Sequence, residues 1–355
     1  MAIHTQKRIK KIGVDNFFSI PLHLLIMNTR NIANNIFKVA LSLLLGGAIL
    51  YWMYCDFDFK KVEQVLFHEM NWTWMLLSFP FGILAQMFRG WRWKQTLEPV
   101  NEQPRTSVCI DSIFLSYAVS LIIPRIGEFA RCGVLKKKDN VSFSKAIGTV
   151  VTERGVDSLI VMLLTAITII AEISVFKTFF NKTGTSMDSV FNKFTTTGYI
   201  VTAICGLAVI IMGLYLVSRL SIYNKVKNTF NGIWQGITSL KSVRNVPLFI
   251  FYSLAIWGSY FLHYYLTFFC FEATSHLSIS CAMVTFIVGS IAVIVPTPNG
   301  AGPWHFAVKT MLILYGIQAT DALYFVLIVH SVQTLLVAVL GIYSWLHLSF
   351  IKTIN

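Results

Sequence analysis

Pro124-Arg125-Ile126-Gly127-Glu128-Phe129-Ala130-Arg131 interrupts an apolar run that begins near residue 107, and Lys136, Lys137 and Lys138 follow it. Proline has no amide hydrogen and blocks a continuing helix, so a chain buried in lipid is broken here. If residues 107–123 crossed the membrane, the three lysines would face outward and every later loop would invert against the cytoplasmic excess of Lys and Arg. The stretch 107–138 is therefore expected to enter from the cytoplasm, turn at 124–127 and return as a re-entrant hairpin.

Working outward, the whole chain reads as membrane. Of 355 residues, 55% are hydrophobic and only 13% charged, with a mean hydropathy of +0.65. Those values exclude an ordinary soluble domain. Apolar runs near the length of a span fall at 36–54, 72–88, 146–175, 199–217, 246–271 and 321–348. The expected fold is an all-α polytopic membrane protein with about six full spans. The net charge of +13 resides in loops, which points to topology and anionic lipid rather than nucleic acid. No nucleic-acid motif is visible, and no secretory signal precedes the first span. The Lys and Arg before that span, near 89–105 and between 218 and 245 place a cytoplasmic N-terminal segment (1–33) and a cytoplasmic C-terminus on the same side of a plasma (inner) membrane. Of the 29 basic residues this arrangement leaves five outside and two, Arg154 and Lys309, within the hydrophobic region.

Residues 280–317 break in the same way. Two apolar stretches flank Pro296-Thr297-Pro298-Asn299-Gly300-Ala301-Gly302-Pro303, and a second hairpin dipping from the outer side fits the charge pattern. Two broken elements entering from opposite sides point to an inverted repeat with a site near the midplane. Only Ile122-Ile123-Pro124 against Ile294-Val295-Pro296, each with a glycine soon after, can be aligned. The other reading is a bundle of proline-kinked helices.

Charges inside the bilayer cost at least roughly 2.5–3.5 kcal/mol each, so they need partners or water. Arg125, Glu128 and Arg131 recur every three residues on one broad helix face. They are either a staple holding the hairpin or an anion site. Thr149, Glu153 and Asp157 form a polar stripe at i, i+4, i+8, with Arg154 beside it. These carboxylates are expected to balance or gate charge, by pairing with Arg125 and Arg131, by relaying protons, or by meeting water at the interface. At the second break, Gly300 and Gly302 leave amides for an anion at a helix start opened by Pro303, with His305 and Lys309 on the same face. The alternative for the glycines is close helix packing.

Arg89, Arg92 and Lys94 interleave with Trp91 and Trp93 and are expected to anchor a helix end at the interface. His263 and His330 are expected to make interhelical hydrogen bonds. Residues 221–243 form an amphipathic helix lying on the membrane surface. Six cysteines stand singly without ligand spacing and read as packing residues, with no metal and no cofactor expected.

At these residues the chain resembles the lysylphosphatidylglycerol synthase transmembrane (flippase-like) family. Its Arg–Arg-Trp segment reads here Arg89-Gly90-Trp91-Arg92-Trp93, its P-x-x-G-E-x-x-R reads Pro124 to Arg131, and its E-R-x-x-D reads Glu153-Arg154-Gly155-Val156-Asp157. The family's later P-G-G-L-G-x-x-E is similar to Pro298-Asn299-Gly300-Ala301-Gly302-Pro303-Trp304-His305, with histidine in place of the acid. The resemblance implies movement of an anionic or aminoacylated lipid headgroup between leaflets, with the soluble aminoacyl-transferase domain expected to be absent. Fold likeness does not name the substrate.

The expected function is thus a lipid flippase or headgroup transporter, more a transporter than an enzyme. Arg125, Glu128, Arg131, Gly300, Gly302 and His305 would bind substrate, Glu153, Arg154 and Asp157 would balance or gate its charge, and no residue is assigned to catalysis. Membrane lipid is the expected partner, with a separate lipid-modifying enzyme as a further one. Two rival readings remain: a membrane-embedded lipid-modifying enzyme using Glu128 or Asp157 as general base, and a non-catalytic scaffold for an envelope enzyme.

Overall fold

The computed structural model describes residues 29–55, 57–173 and 243–354. The expected span at 199–217 and the amphipathic segment 221–243 lie outside these residues, apart from Val243, as does most of the N-terminal segment. Every regular element among the described residues is helical. We number the nine longer helices α1 (Thr29–Tyr54), α2 (Trp72–Leu97), α3 (Thr106–Ile122), α4 (Gly127–Asp139), α5 (Phe143–Ala171), α6 (Val246–Tyr265), α7 (Ile279–Ala292), α8 (Pro303–Leu314) and α9 (Ala319–Phe350).

Three segments are long and apolar enough to cross a membrane: α5, α6 with its continuation to Cys270, and α9. Helix α2 matches them in length at 26 residues but carries Arg89, Arg92 and Lys94. Large apolar side chains stand exposed along α5, among them Leu159, Met162, Leu163 and Ile170. Water would penalise such a face, and a hydrocarbon environment does not.

Local chemistry sets the helix ends. The Asn71 side chain accepts from the Thr73 amide to cap α2, and Asn245 accepts from the Leu248 amide to cap α6. Ser278 caps α7 through the Cys281 amide, and Pro303 opens α8 at the position where a missing amide hydrogen costs nothing. Between α3 and α4 the backbone turns at Pro124-Arg125, where Arg125 has φ +64°. Between α7 and α8 the turn holds Asn299 at φ +51° and glycines at +73° and +91°.

Apart from α1, these helices fall into two runs of four, α2–α5 and α6–α9, each ordered as a first helix, two helices joined by a break, and a long last helix. Packing repeats between the runs. In each, the first helix packs on the second, the second on the third and the third on the fourth. Across the runs the first helices pair, α2 with α6, while α3 lies on α9 and α7 lies on α5. The α2–α6 pair is antiparallel: Arg92 meets Ser253 at one end and Ser78 meets His263 at the other. Helix α9 crosses α3 with Gly341 against Ala118 and His347 against Asp111, again antiparallel.

Two apolar clusters hold this frame. One gathers Trp93 and Leu97 of α2 with Val108, Cys109 and Ile113 of α3, Cys132 and Leu135 of α4, and Leu348 of α9. The other joins Met75 of α2 to Phe268, Cys281, Leu312, Phe325 and Val329. Four cysteines (109, 132, 270 and 281) are buried in these clusters, and Cys55 is exposed.

Candidate functional site

The stripe on α5 faces inward onto α2 and α4, and each of its members takes a partner. Thr149 Oγ1 accepts from Trp93 Nε1 at 3.0 Å. Glu153 lies 2.8 Å from Arg131 Nη2 and 3.5 Å from Arg92 Nε. Asp157 accepts from Arg89 Nη1 at 2.6 Å and from Arg92 Nη2 at 2.7 Å, and Arg154 Nη2 lies 3.1 Å away. Arg154 also reaches Glu128 of α4 at 3.3 Å.

Three helices thus share one ion-pair network, tied to a fourth because Arg92 Nη1 donates to Ser253 on α6 at 3.2 Å. Most of it is dry. The side chains of Arg92 and Glu153 are fully buried, and those of Arg89, Arg131 and Asp157 nearly so. Glu128 and Arg154 are its open edge, at 39% and 41% exposure. The Arg131 guanidinium lies 4.4 Å over the Trp93 ring, a cation–π contact whose geometry is set by the Trp93–Thr149 bond.

Arg89 and Arg92 correct the expectation of an interfacial anchor. Both are buried, because two carboxylates on α5 supply the compensation that lipid headgroups would otherwise give. Pairing of Glu153 and Asp157 with arginine was among the expected outcomes. The partners, however, are Arg131, Arg89, Arg92 and Arg154, not Arg125. Arg125 stands exposed at the first break, where its Nη2 donates to the Ile294 carbonyl of the second break at 2.6 Å. It has no carboxylate partner among the described residues.

The second break offers a different chemistry. The amide of Gly300 donates to Thr297 O, that of Ala301 to Pro298 O, and that of Gly302 to His305 Nδ1 at 3.3 Å. Those donors are consumed within the turn, so Gly300 and Gly302 do not offer the expected anion cradle. Close approach explains the glycines instead. A Cβ at Gly302 would lie 2.9 Å from Gly46 O of α1, and one at Gly300 would lie 2.8 Å from Val293 Cγ2.

His305 is buried beside His330, ring centroids 4.5 Å apart, and Trp304 lies 5.1 Å from His330. His330 Nε2 donates to Asn299 O at 3.1 Å, while Asn299 Nδ2 donates to Thr334 at 2.6 Å. His263 bonds Ser78 O at 2.8 Å, and Gly82 gives its ring room. Lys309, half-exposed on α8, makes no ion pair among the described residues. Ser253, the Tyr117–Tyr260 hydroxyl pair at 2.9 Å and Tyr54 carry no sequence signal that separates them from packing residues. Asp111, bonded to His347 at 2.7 Å, was detectable as a lone carboxylate within the apolar run 107–123.

Among curated proteins and solved structures nothing matches the chain. A family model does: the lysylphosphatidylglycerol synthase TM region matches residues 37–341, which include every residue of the network and both breaks. The chain therefore belongs to the lysylphosphatidylglycerol synthase transmembrane family, and its role is one of membrane lipids.

Proposed function

We propose that the protein moves an anionic or aminoacylated lipid headgroup between leaflets, and that Arg125 and Arg131 hold its phosphate. Four arginines (89, 92, 131 and 154) pair with three carboxylates (Glu128, Glu153 and Asp157), and Arg125 stands apart without a carboxylate among the described residues, which leaves positive charge for an anion. The observation that carries the reading is Arg125: a guanidinium where the two breaks meet, held among the described residues only by a backbone carbonyl. Arg131 adds Nε and Nη1, both buried and without hydrogen-bond partners among the described residues. A phosphate is the ligand that such planar donors match.

In this reading Arg89, Arg92 and Asp157 staple the frame, while Glu128 and Arg154, the open edge, exchange partners as substrate enters. The two broken elements act as re-entrant hairpins of an inverted repeat in a plasma membrane, both termini cytoplasmic. Reciprocal packing of the two runs and the antiparallel crossing of α2 with α6 support that arrangement. Breaking the Arg125–Ile294 contact would open the site to one leaflet and then the other.

The test is leaflet transfer in proteoliposomes carrying fluorescently labelled phosphatidylglycerol. Arg125→Asn removes the cation while tolerating the left-handed backbone, and it is expected to slow transfer at least about ten-fold, the loss of one charged contact. Lys60→Gln, an exposed charge away from the network, leaves the rate unchanged. Transfer by Arg125→Asn at the parent rate overturns the assignment.

A further inference from the structure

We propose that the second break is a separate recognition site for an uncharged, hydroxyl-bearing lipid headgroup, lined by Tyr54, His305 and His330. The inference does not rest on the arginine site. It rests on hydrogen-bonding capacity that the protein leaves unused. His305 Nδ1 accepts from the Gly302 amide, so it carries no proton, and the neutral ring must bear its proton on Nε2. That N–H has no partner among the described residues, although His305 is only 3% exposed. His330 is bonded in the opposite sense: Nε2 must donate to the Asn299 carbonyl, which leaves Nδ1 of the neutral ring as an acceptor. The two rings, 4.5 Å between centroids, thus leave one donor and one acceptor unused among the described residues.

Tyr54 of α1 completes the set. Its ring meets His305 edge-on, 6.2 Å between centroids, and its hydroxyl is buried without a partner among the described residues. A second buried and unpartnered hydroxyl, Thr297 Oγ1, belongs to the same break. Buried polar groups without partners are costly, and two such hydroxyls, one on α1 and one on the turn, beside two histidines with unused ring nitrogens point to a ligand that satisfies them together.

The chemistry of that ligand follows from charge. From Ile279 to Leu314 the stretch's own charged side chain is Lys309, the Arg125 guanidinium reaches it from the first break at the Ile294 carbonyl, and no carboxylate lies in that stretch to balance an ammonium group. The Gly300, Ala301 and Gly302 amides are consumed, so an anion gains nothing from them. A hydroxyl both donates and accepts, which matches the unpaired Nε2–H and Nδ1. A polyol or sugar headgroup supplies several such groups.

Native mass spectrometry of the detergent-purified full chain tests this with two probes. Galactosyl diacylglycerol carries hydroxyls and no phosphate; phosphatidylmethanol carries the phosphate and no free hydroxyl. Tyr54→Phe removes a hydroxyl that bonds nothing among the described residues, so the fold is retained. It is expected to lower retention of the galactolipid about five-fold, the worth of one neutral hydrogen bond, and to leave phosphatidylmethanol unaffected. Arg125→Asn should do the reverse. Galactolipid retention no greater than that of diacylglycerol, or unchanged by Tyr54→Phe because water alone fills the site, overturns the proposal. Loss of galactolipid in Tyr54→Phe with phosphatidylmethanol unmoved by Arg125→Asn leaves this site standing and removes the arginine site.

Discussion

The two breaks occupy equivalent places in their runs of four helices, yet they are held by opposite means. At the first, α4 brings Glu128 and Arg131 against α5 and α2, and ion pairs carry the cohesion. At the second, α8 brings Trp304 and His305 against α9 and α1, and cohesion comes from a glycine-to-glycine approach and neutral hydrogen bonds. Both turns need a left-handed residue, supplied by Arg125 in one and Asn299 in the other. The difference teaches that backbone topology and side-chain chemistry are separable here. One scaffold position is locked by charge that must stay paired in lipid, while the other is held by neutral groups, with Arg125 only touching its Ile294 carbonyl, and so can leave polar groups open.

The strongest way to break this comparison is Arg92→Ala. Arg92 touches Asp157, Glu153 and Ser253 on two other helices, all with fully or nearly buried side chains. Removing one partner of a buried pair leaves uncompensated charge, at a cost of roughly 3–5 kcal/mol. A fall in thermal unfolding temperature large enough to lose the folded peak in size-exclusion chromatography is expected. At the second break, His330→Ala gives up one neutral hydrogen bond to Asn299, about 1 kcal/mol. Equal losses would show that charge does not distinguish the two sites.

The glycines come next. A Cβ on Gly127 would collide with the Ser116 carbonyl and the Ser120 hydroxyl of α3, so Gly127→Ala must push α4 away from its partner helix. Gly302→Ala meets Gly46 O at 2.9 Å and also forces φ +91° on a residue with a side chain. Each is expected to cost about 1–3 kcal/mol, read as a lower unfolding temperature. Gly127→Ala should in addition weaken the Arg131–Glu153 contact, because α4 carries Arg131. If only Gly302→Ala is destabilising, the first break is held by its charges alone.

Much of this organisation is legible in the sequence, for physical reasons. Prolines 124, 296, 298 and 303 cannot sit inside helices without cost, and apolar runs of span length have few other uses. The stripe Thr149, Glu153 and Asp157 is legible because helical spacing puts three polar side chains on one face of an apolar helix, which then needs partners. Which partners it finds is not legible. Arg89 and Arg92 sit among tryptophans near a helix end, a pattern shared by interfacial anchors, and only the approach of α5 to α2 decides between the two. Glycines 300 and 302 are ambiguous in the same way, since an anion cradle and a close helix contact both demand the absence of Cβ. The amide bonds settle the point: those of Gly300 and Ala301 close on backbone carbonyls, and that of Gly302 depends on the rotamer of His305, which no spacing rule gives.

The smallest effect concerns the crossing of α3 by α9. His347 Nδ1 lies 2.7 Å from Asp111 Oδ2, with the histidine side chain 41% exposed. The reciprocal crossing, α7 on α5, has no ion pair among the described residues, so this contact is a second place where the two runs differ in charge. The Asp111 side chain is only 5% exposed, but water competes for the histidine and holds the contribution of the pair to about 1 kcal/mol. His347→Ala is therefore expected to lower the unfolding temperature by a few degrees at most and to leave retention of both lipid probes unchanged. Helix α3 leads directly into the first break, and that connection gives the measurement its point. Should His347→Ala alter phosphatidylmethanol retention as strongly as Arg125→Asn, the Asp111 end of α3 controls the position of Arg125, and the charged break extends across the whole helix instead of ending at its turn.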